Sequence, residues 1–169
     1  MPGELDLARL LGVLESHGVD YVLIGGLAAV VHGSPFPTED ADITPAVVPD
    51  NLSRLSEALR ELAARIRTDA APDGLPFDHD GESLVAARVW NLTTDAGDLD
   101  ISFVPDGTTG FDDLKRDAES MTLYGATVRI ASLADVIRSK QAANRPKDQR
   151  ALPTLRDLLA LSRSQPGRE

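Results

Sequence analysis

The chain contains no cysteine, which excludes disulfide bridges and thiolate metal sites. It has a single tryptophan, Trp90, whose expected role is packing rather than base stacking. No apolar run approaches the ~20 residues of a membrane-spanning helix, so no membrane partner is expected. The first twenty residues carry Glu4, Asp6, Arg9 and Glu15 and do not read as a signal peptide; the expected location is the cytoplasm. Basic residues are also outnumbered, and the net charge is −10. That deficit is uneven. Residues 133–169 hold eight Lys or Arg against four Asp or Glu, a net +4, which leaves −14 on residues 1–132. An acidic body argues against broad nonspecific DNA binding. The basic tail still permits a polyanion to be gripped at one end, and a solvated basic helix accounts for it equally well.

What is present is the composition of an ordinary folded protein: 169 residues, 42% hydrophobic and 26% charged. That length suits one domain with a proper core. We expect a single domain over 1–169, with an α/β core in 1–132 and a helical part in 133–169.

The most informative stretch is 21–44, YVLIGGLAAVVHGSPFPTEDADIT. Tyr21 to Ile24 form an apolar run cut off by glycine, the pattern of a buried strand. Gly25 and Gly26 follow, then a short apolar helix that His32 and Gly33 suit as an ending. Glycines at a strand-to-helix junction let a ligand approach the backbone and leave the N–H groups of the helix start free for an anion. A loop with Pro35 and Pro37 leads to Asp40-Ala41-Asp42. On a strand these carboxylates share one face, roughly 6–7 Å apart at their Cα atoms, and hard cations such as Mg²⁺ take such oxygen ligands. A phosphate cradle facing a metal-binding acidic pair is the apparatus of phosphoryl or nucleotidyl transfer. A plain turn and a solvated strand face are the bland alternatives.

The rest of the chain reads in order. Residues 4–17 place leucines at helical spacing, ending at Gly18. A second helix is expected from about 52 to 66, capped by Asp50 or Asn51. Residues 69–81 are loop by composition, with His79 as a solvated histidine or a metal ligand. Residues 84–94 read as a strand, Asp95-Ala96-Gly97 as a hairpin turn, and 98–103 as the return strand. There Asp98, Asp100 and Ser102 alternate against Leu99, Ile101 and Phe103. A short helix over 111–120, two strands around Tyr124-Gly125 and a helix from Ser132 to about Asn144 follow. Pro146 suits the first turn of the last helix, which frays in 162–169.

Gly25-Gly26, thirteen residues, then Asp40-x-Asp42 resembles the signature of the polymerase-beta-like nucleotidyltransferase superfamily. Together with Lys140-x4-Arg145-x-Lys147-Asp148 it resembles the AbiEii/MenT-type group, toxins of toxin–antitoxin pairs. The resemblance spans 21–157. It implies an α/β fold, a small mixed sheet that carries the acidic triad, with helices mainly on one side and C-terminal helices closing the cleft. It implies a third carboxylate, for which Asp100 fits the apolar-acid-apolar pattern best and Asp98 ranks second, with the polar side of an exposed hairpin as the alternative. By likeness Asp40, Asp42 and Asp100 would hold two Mg²⁺ ions, and Gly25, Gly26 and Lys140 would clamp the phosphates of an NTP. Asp148, also counted with the nucleotide-binding groups, would position Lys140 or the substrate. Phe36 stands where many relatives have arginine, while Thr38 matches and could brace the acidic strand or serve as a turn residue. The implied acceptor is the 3′ end of a tRNA, with an antitoxin protein as a further partner. An aminoglycoside-type acceptor, or a non-catalytic nucleotide-binding relative, are the other readings.

Overall fold

The computed structural model describes residues 3–164; the end of the expected fraying tail, 165–169, lies outside the described residues. Helix α1, Leu7–Ser16, is capped by Asp6, whose side chain accepts from the Arg9 N–H at 3.0 Å. It leads into strand β1, Tyr21–Ile24, and a short helix α2, Gly25–Val31. Strand β2, Asp40–Pro45, carries the acidic pair. Helix α3, Pro49–Glu61, begins with proline in its first turn, where the missing N–H costs nothing.

The helix expected to run to 66 stops earlier. Leu62 ends it, Ala63 turns left-handed with φ +51°, and the chain re-enters the sheet as strand β3, Arg65–Thr68. The expected loop over 69–81 is half strand, since β4 is Ala71–Leu75. Pro72 and Gly74 argued against a strand, but β4 lies at the sheet's edge, where proline is tolerated. Thr68 Oγ1 accepts the Ala71 N–H at 3.1 Å and tightens that hairpin.

The strand expected over 84–94 is also shorter. Asp80 and Ser83 form a reciprocal cap that winds Gly81–Leu84 into one helical turn, α4. Strand β5 then begins at Val89 and runs to Thr94, followed by β6, Gly97–Ser102. Helix α5, Phe111–Arg116, ends before 120 because residues 119 and 120 already pair in strand β7, Glu119–Leu123, with β8, Ala126–Ile130. Helix α6, Leu133–Ala143, starts on Ser132, whose hydroxyl accepts the Asp135 N–H, and ends at left-handed Asn144. Helix α7, Pro146–Ser164, completes the described chain.

The eight strands form one mixed sheet in the order β4-β3-β5-β6-β2-β1-β8-β7. Pairs β1/β8 and β2/β6 are parallel and the others antiparallel. The register fixes the chemistry. On one face Ala41 pairs with Leu99 and Ile43 with Ile101, and all four are fully buried. On the other face Asp40 pairs with Asp98 and Asp42 with Asp100. Leucines of α1 (Leu10, Leu11, Leu14) and α3 (Leu55, Leu59) join the same core as the sheet, each at most 1% exposed. Burying one such leucine contributes about 1.5–3 kcal/mol. No described helix is long and apolar enough to cross a membrane.

Candidate active site

The acidic face of β2 and β6 forms the floor of a cleft of about 710 Å³. Carboxylate oxygens of Asp40, Asp42 and Asp100 lie within 4.8 Å of one another, and among the described residues this is the one His or carboxylate group able to hold a metal ion. Asp98 shares the face but stands outside the cluster. Its Oδ2 is 3.2 Å from Arg67 Nη1, and its Oδ1 is buried without a hydrogen-bond partner.

Gly25 is required by the acid beneath it. Its φ is +68°, and an added Cβ would lie 2.3 Å from Asp42 Oδ2. A side chain there is excluded both by backbone conformation and by the carboxylate. Gly26 is crowded less: its Cβ would meet Thr38 Oγ1 at 3.1 Å. Thr38 in turn donates its hydroxyl to the Asp40 carbonyl at 3.1 Å, bracing the start of the acidic strand.

Two of the clustered acids, Asp42 and Asp100, are raised by their surroundings. Burial, then repulsion from Asp100 and Asp40, pushes the Asp42 carboxyl up to about 7, against the pull of Lys147 and Lys140. Burial and a hydrogen bond shared with Asp40 push Asp100 up to about 6, against the pull of Arg67. Three hard oxygen donors, held close at an electrostatic cost that a cation would relieve, fit a divalent ion of the Mg²⁺ or Mn²⁺ type.

Basic side chains also line the cleft. They are Lys140 of α6, Arg145 just before α7, and Lys147 and Arg150 in its first turns. Lys140 is 3.6 Å from Asp148 Oδ1. Asp148, expected among the nucleotide-binding groups or as the residue that positions Lys140, has a fully buried side chain and is not part of the cleft lining. Its oxygens accept from Arg145, through the backbone N–H at 3.2 Å, Nε at 2.7 Å and Nη2 at 3.2 Å. Burial raises the Asp148 carboxyl, but the Arg145 hydrogen bonds outweigh it and hold the group below its ordinary range. Asp148 is thus in contact with both Lys140 and Arg145.

Phe36 lines the cleft rim and is 41% exposed. His79 does not approach the acids; its Nδ1 is 2.7 Å from Ser56 Oγ, and its ring lies 4.7 Å from Phe77. Trp90 packs as expected, stacked 5.3 Å from Phe77 and donating its indole N–H to the Leu84 carbonyl at 2.7 Å. Sequence reasoning missed Arg67, and also Arg150, a helix-surface residue by pattern. Arg67 lay in a segment read as the end of a helix and the loop after it. The one signal was Arg65-Ile66-Arg67, an alternation too short to stand alone.

No protein-family model matches the chain, and no curated protein matches it in sequence. Solved structures do match in fold. The lincosamide antibiotic adenylyltransferase LnuA, bound to lincomycin, superposes with a TM-score of 0.59 over 92% of this chain and 99% of that one, at 15% identity. The antibiotic-resistance factor ANT(2'')-Ia gives 0.53 over 92% and 88%, at 15% identity. An antigenic nucleotidyltransferase-like protein from Paracoccidioides brasiliensis gives 0.50 over 98% and 81%, at 18% identity. At these identities the likeness is one of architecture, and with the acidic triad on adjacent parallel strands it establishes that the chain has the nucleotidyltransferase fold.

Proposed function

We propose that the protein is a metal-dependent nucleotidyltransferase that moves a nucleoside monophosphate from an NTP to a hydroxyl acceptor. The observation that carries this is the convergence of Asp40, Asp42 and Asp100 beside Gly25, with Lys140 across the cleft. Asp40, Asp42 and Asp100 would hold two Mg²⁺ ions. Such ions, when bound, favour the deprotonated acceptor hydroxyl and neutralise charge on the α-phosphate and the leaving pyrophosphate. Lys140, Lys147 and the backbone at Gly25-Gly26 orient the β- and γ-phosphates, with Lys140 steadied from behind by Asp148. The acceptor oxygen attacks the α-phosphorus, the bond to the β-phosphate oxygen breaks, and pyrophosphate departs. Asp100, as ligand or base, serves the acceptor side because it stands on β6, one strand beyond Asp42.

The first acceptor we propose is a tRNA 3′ end, in a toxin-like enzyme with an antitoxin partner. Its support is the likeness of the Lys140-to-Asp148 segment to the AbiEii/MenT-type group and the basic tail that could meet an RNA backbone. A small hydroxylated cation is the second reading. It is favoured by Glu39 and Asp106, which line the same cleft, and by the likeness to an adenylyltransferase solved with lincomycin.

Label transfer from each of the four NTPs, into total RNA and into a panel of lincosamides and aminoglycosides, tests both. Asp40→Ala with Asp42→Ala should abolish transfer while leaving the protein folded. Undiminished transfer by that double variant rejects the assignment.

A further inference from the structure

Two carboxylates of β6, Asp98 and Asp100, project onto the acidic face, and each pairs with a metal-site acid of β2: Asp40 with Asp98 and Asp42 with Asp100. By strand geometry alone both are candidates for the third ligand. Only Asp100 joins the cluster. One basic side chain contacts both. Arg67 of β3 reaches across β5 and is pinned at three points. Its Nη2 donates to Asp100 Oδ1 at 2.8 Å, its Nη1 lies 3.2 Å from Asp98 Oδ2, and Nη1 also donates to the Leu92 carbonyl at 2.8 Å. The Arg67 side chain is three-quarters buried and does not line the cleft. It can therefore act on the reaction only through the acids it holds.

We propose that Arg67 is a positioning residue that selects which β6 carboxylate serves the metal site. It anchors Asp98 away from the cluster, and it occupies Oδ1 of Asp100 so that Oδ2 is the oxygen offered to a divalent ion. A planar fork with several fixed donors can bridge two carboxylates two residues apart on one strand; the ammonium of lysine is a single point and cannot hold both in register. The need for such a device is physical. Four acids on one patch would bind an ion in alternative ligand sets, whereas transfer in line with a leaving pyrophosphate needs one fixed set. Arg67 limits the set at the cost of placing a positive charge beside the cation site. Its removal should therefore leave metal binding as strong as before, or stronger, while turnover falls. A residue that merely supports the fold would lose both together.

The inference rests on the proposed metal-dependent transfer, and the experiment separates the two. Mn²⁺ affinity of the nucleotide-free protein, by calorimetry and by paramagnetic resonance, is measured for the wild type, Arg67→Ala and Arg67→Lys, alongside label transfer from NTP. In Arg67→Ala we expect Mn²⁺ affinity at or above the wild-type value and an altered Mn²⁺ spectrum from the extra ligand set. Turnover should fall by about 10- to 100-fold, the usual effect of losing a group that orients a metal ligand, with KM for NTP changed less than about twofold, and added guanidinium should restore part of the rate. Arg67→Lys should show the same loss of turnover at wild-type Mn²⁺ affinity, and it carries the test should Arg67→Ala fail to fold. Wild-type turnover in Arg67→Lys, or Mn²⁺ affinity falling in proportion to turnover in either variant, overturns the role given to Arg67 while leaving the transferase reading intact. A wild-type protein that binds no Mn²⁺ removes both.

Discussion

Gly25 and Gly26 are neighbours in sequence, yet alanine should affect them very differently. At Gly25 the backbone is left-handed, which costs an L-residue roughly 1–2 kcal/mol, and the new Cβ would lie 2.3 Å from Asp42 Oδ2. Asp42 must move, and with it a candidate metal ligand. At Gly26 the backbone needs no left-handed conformation, and the Cβ meets only the Thr38 hydroxyl at 3.1 Å. A shift of a few tenths of an ångström there relieves the contact. The readout is the rise in melting temperature on adding Mg²⁺ or Mn²⁺. An ion at about 100 times its Kd stabilises a folded protein by about 2.7 kcal/mol, which for a domain of this size is a shift of roughly 5–10 °C. Wild type and Gly26→Ala should both show the rise, and Gly25→Ala should show little or none. Without metal, Gly25→Ala should lose at least about 1–2 kcal/mol, the backbone cost, plus the cost of displacing Asp42. Should Gly25→Ala keep the full metal-dependent rise, the ion does not sit against Asp42, and the geometry assigned to the cleft is wrong.

The remaining predictions follow from the charged groups. Asp42 has its carboxyl pushed up to about 7 and Asp100 to about 6, so in the folded protein the charged forms are disfavoured. Their cost is absent below about pH 4, where both states are protonated, and grows as pH rises toward 7. The metal-free protein should therefore gain stability from this site as pH falls from 7.5 to 5, by on the order of a few kcal/mol, and saturating Mg²⁺ should flatten the trend. Melting curves over that range check it, and a metal-free profile that already falls on acidification contradicts it. Asp148→Ala removes the fully buried partner of Lys140 and Arg145. We expect a loss of about 3 kcal/mol, the low end for breaking a buried pair, because the Arg145 side chain is 56% exposed and can rehydrate. Chemical denaturation measures that loss. In transfer assays Asp148→Ala should also raise KM for NTP, since Lys140 loses its brace.

Much of the site was legible before any coordinates, and the reason is local. Tyr21 to Asp42 form one strand, one short helix and one returning strand, each set by neighbouring residues: the apolar run, the two glycines and the alternating acids. Asp100 ranked above Asp98 because Leu99-Asp100-Ile101 resembles the superfamily's apolar-acid-apolar pattern, although both acids alternate onto the same face. Longer-range features were less visible. The turn at Ala63 uses a left-handed alanine, for which sequence gives no warning, and the leucine spacing of α3 carried the expectation past it to Ile66. Strand β4 contains Pro72 and Gly74, and only its place at the sheet's edge makes them acceptable. The eight-stranded sheet is larger than the small one expected because β3 and β4 were hidden in that way. Arg67 was lost with them, since its partners stand 31 and 33 residues on.

The uneven charge of the chain acquires a meaning in the cleft. An acidic body of −14 should repel any nucleotide, which is itself an anion. The fold brings the basic residues 140–150 to the same cleft as the acidic strand face, so that Lys140, Arg145, Lys147 and Arg150 line it together with Asp40 and Asp42. The two walls ask for opposite partners. Phosphates are drawn to the α6–α7 side, and cations to the β2–β6 side. On the function proposed above, a metal-bound triphosphate would carry both at once, phosphates for the basic side chains and a cation for the acids. Either half alone would be an ordinary charged surface; their separation in sequence and meeting in space is what makes a selective site.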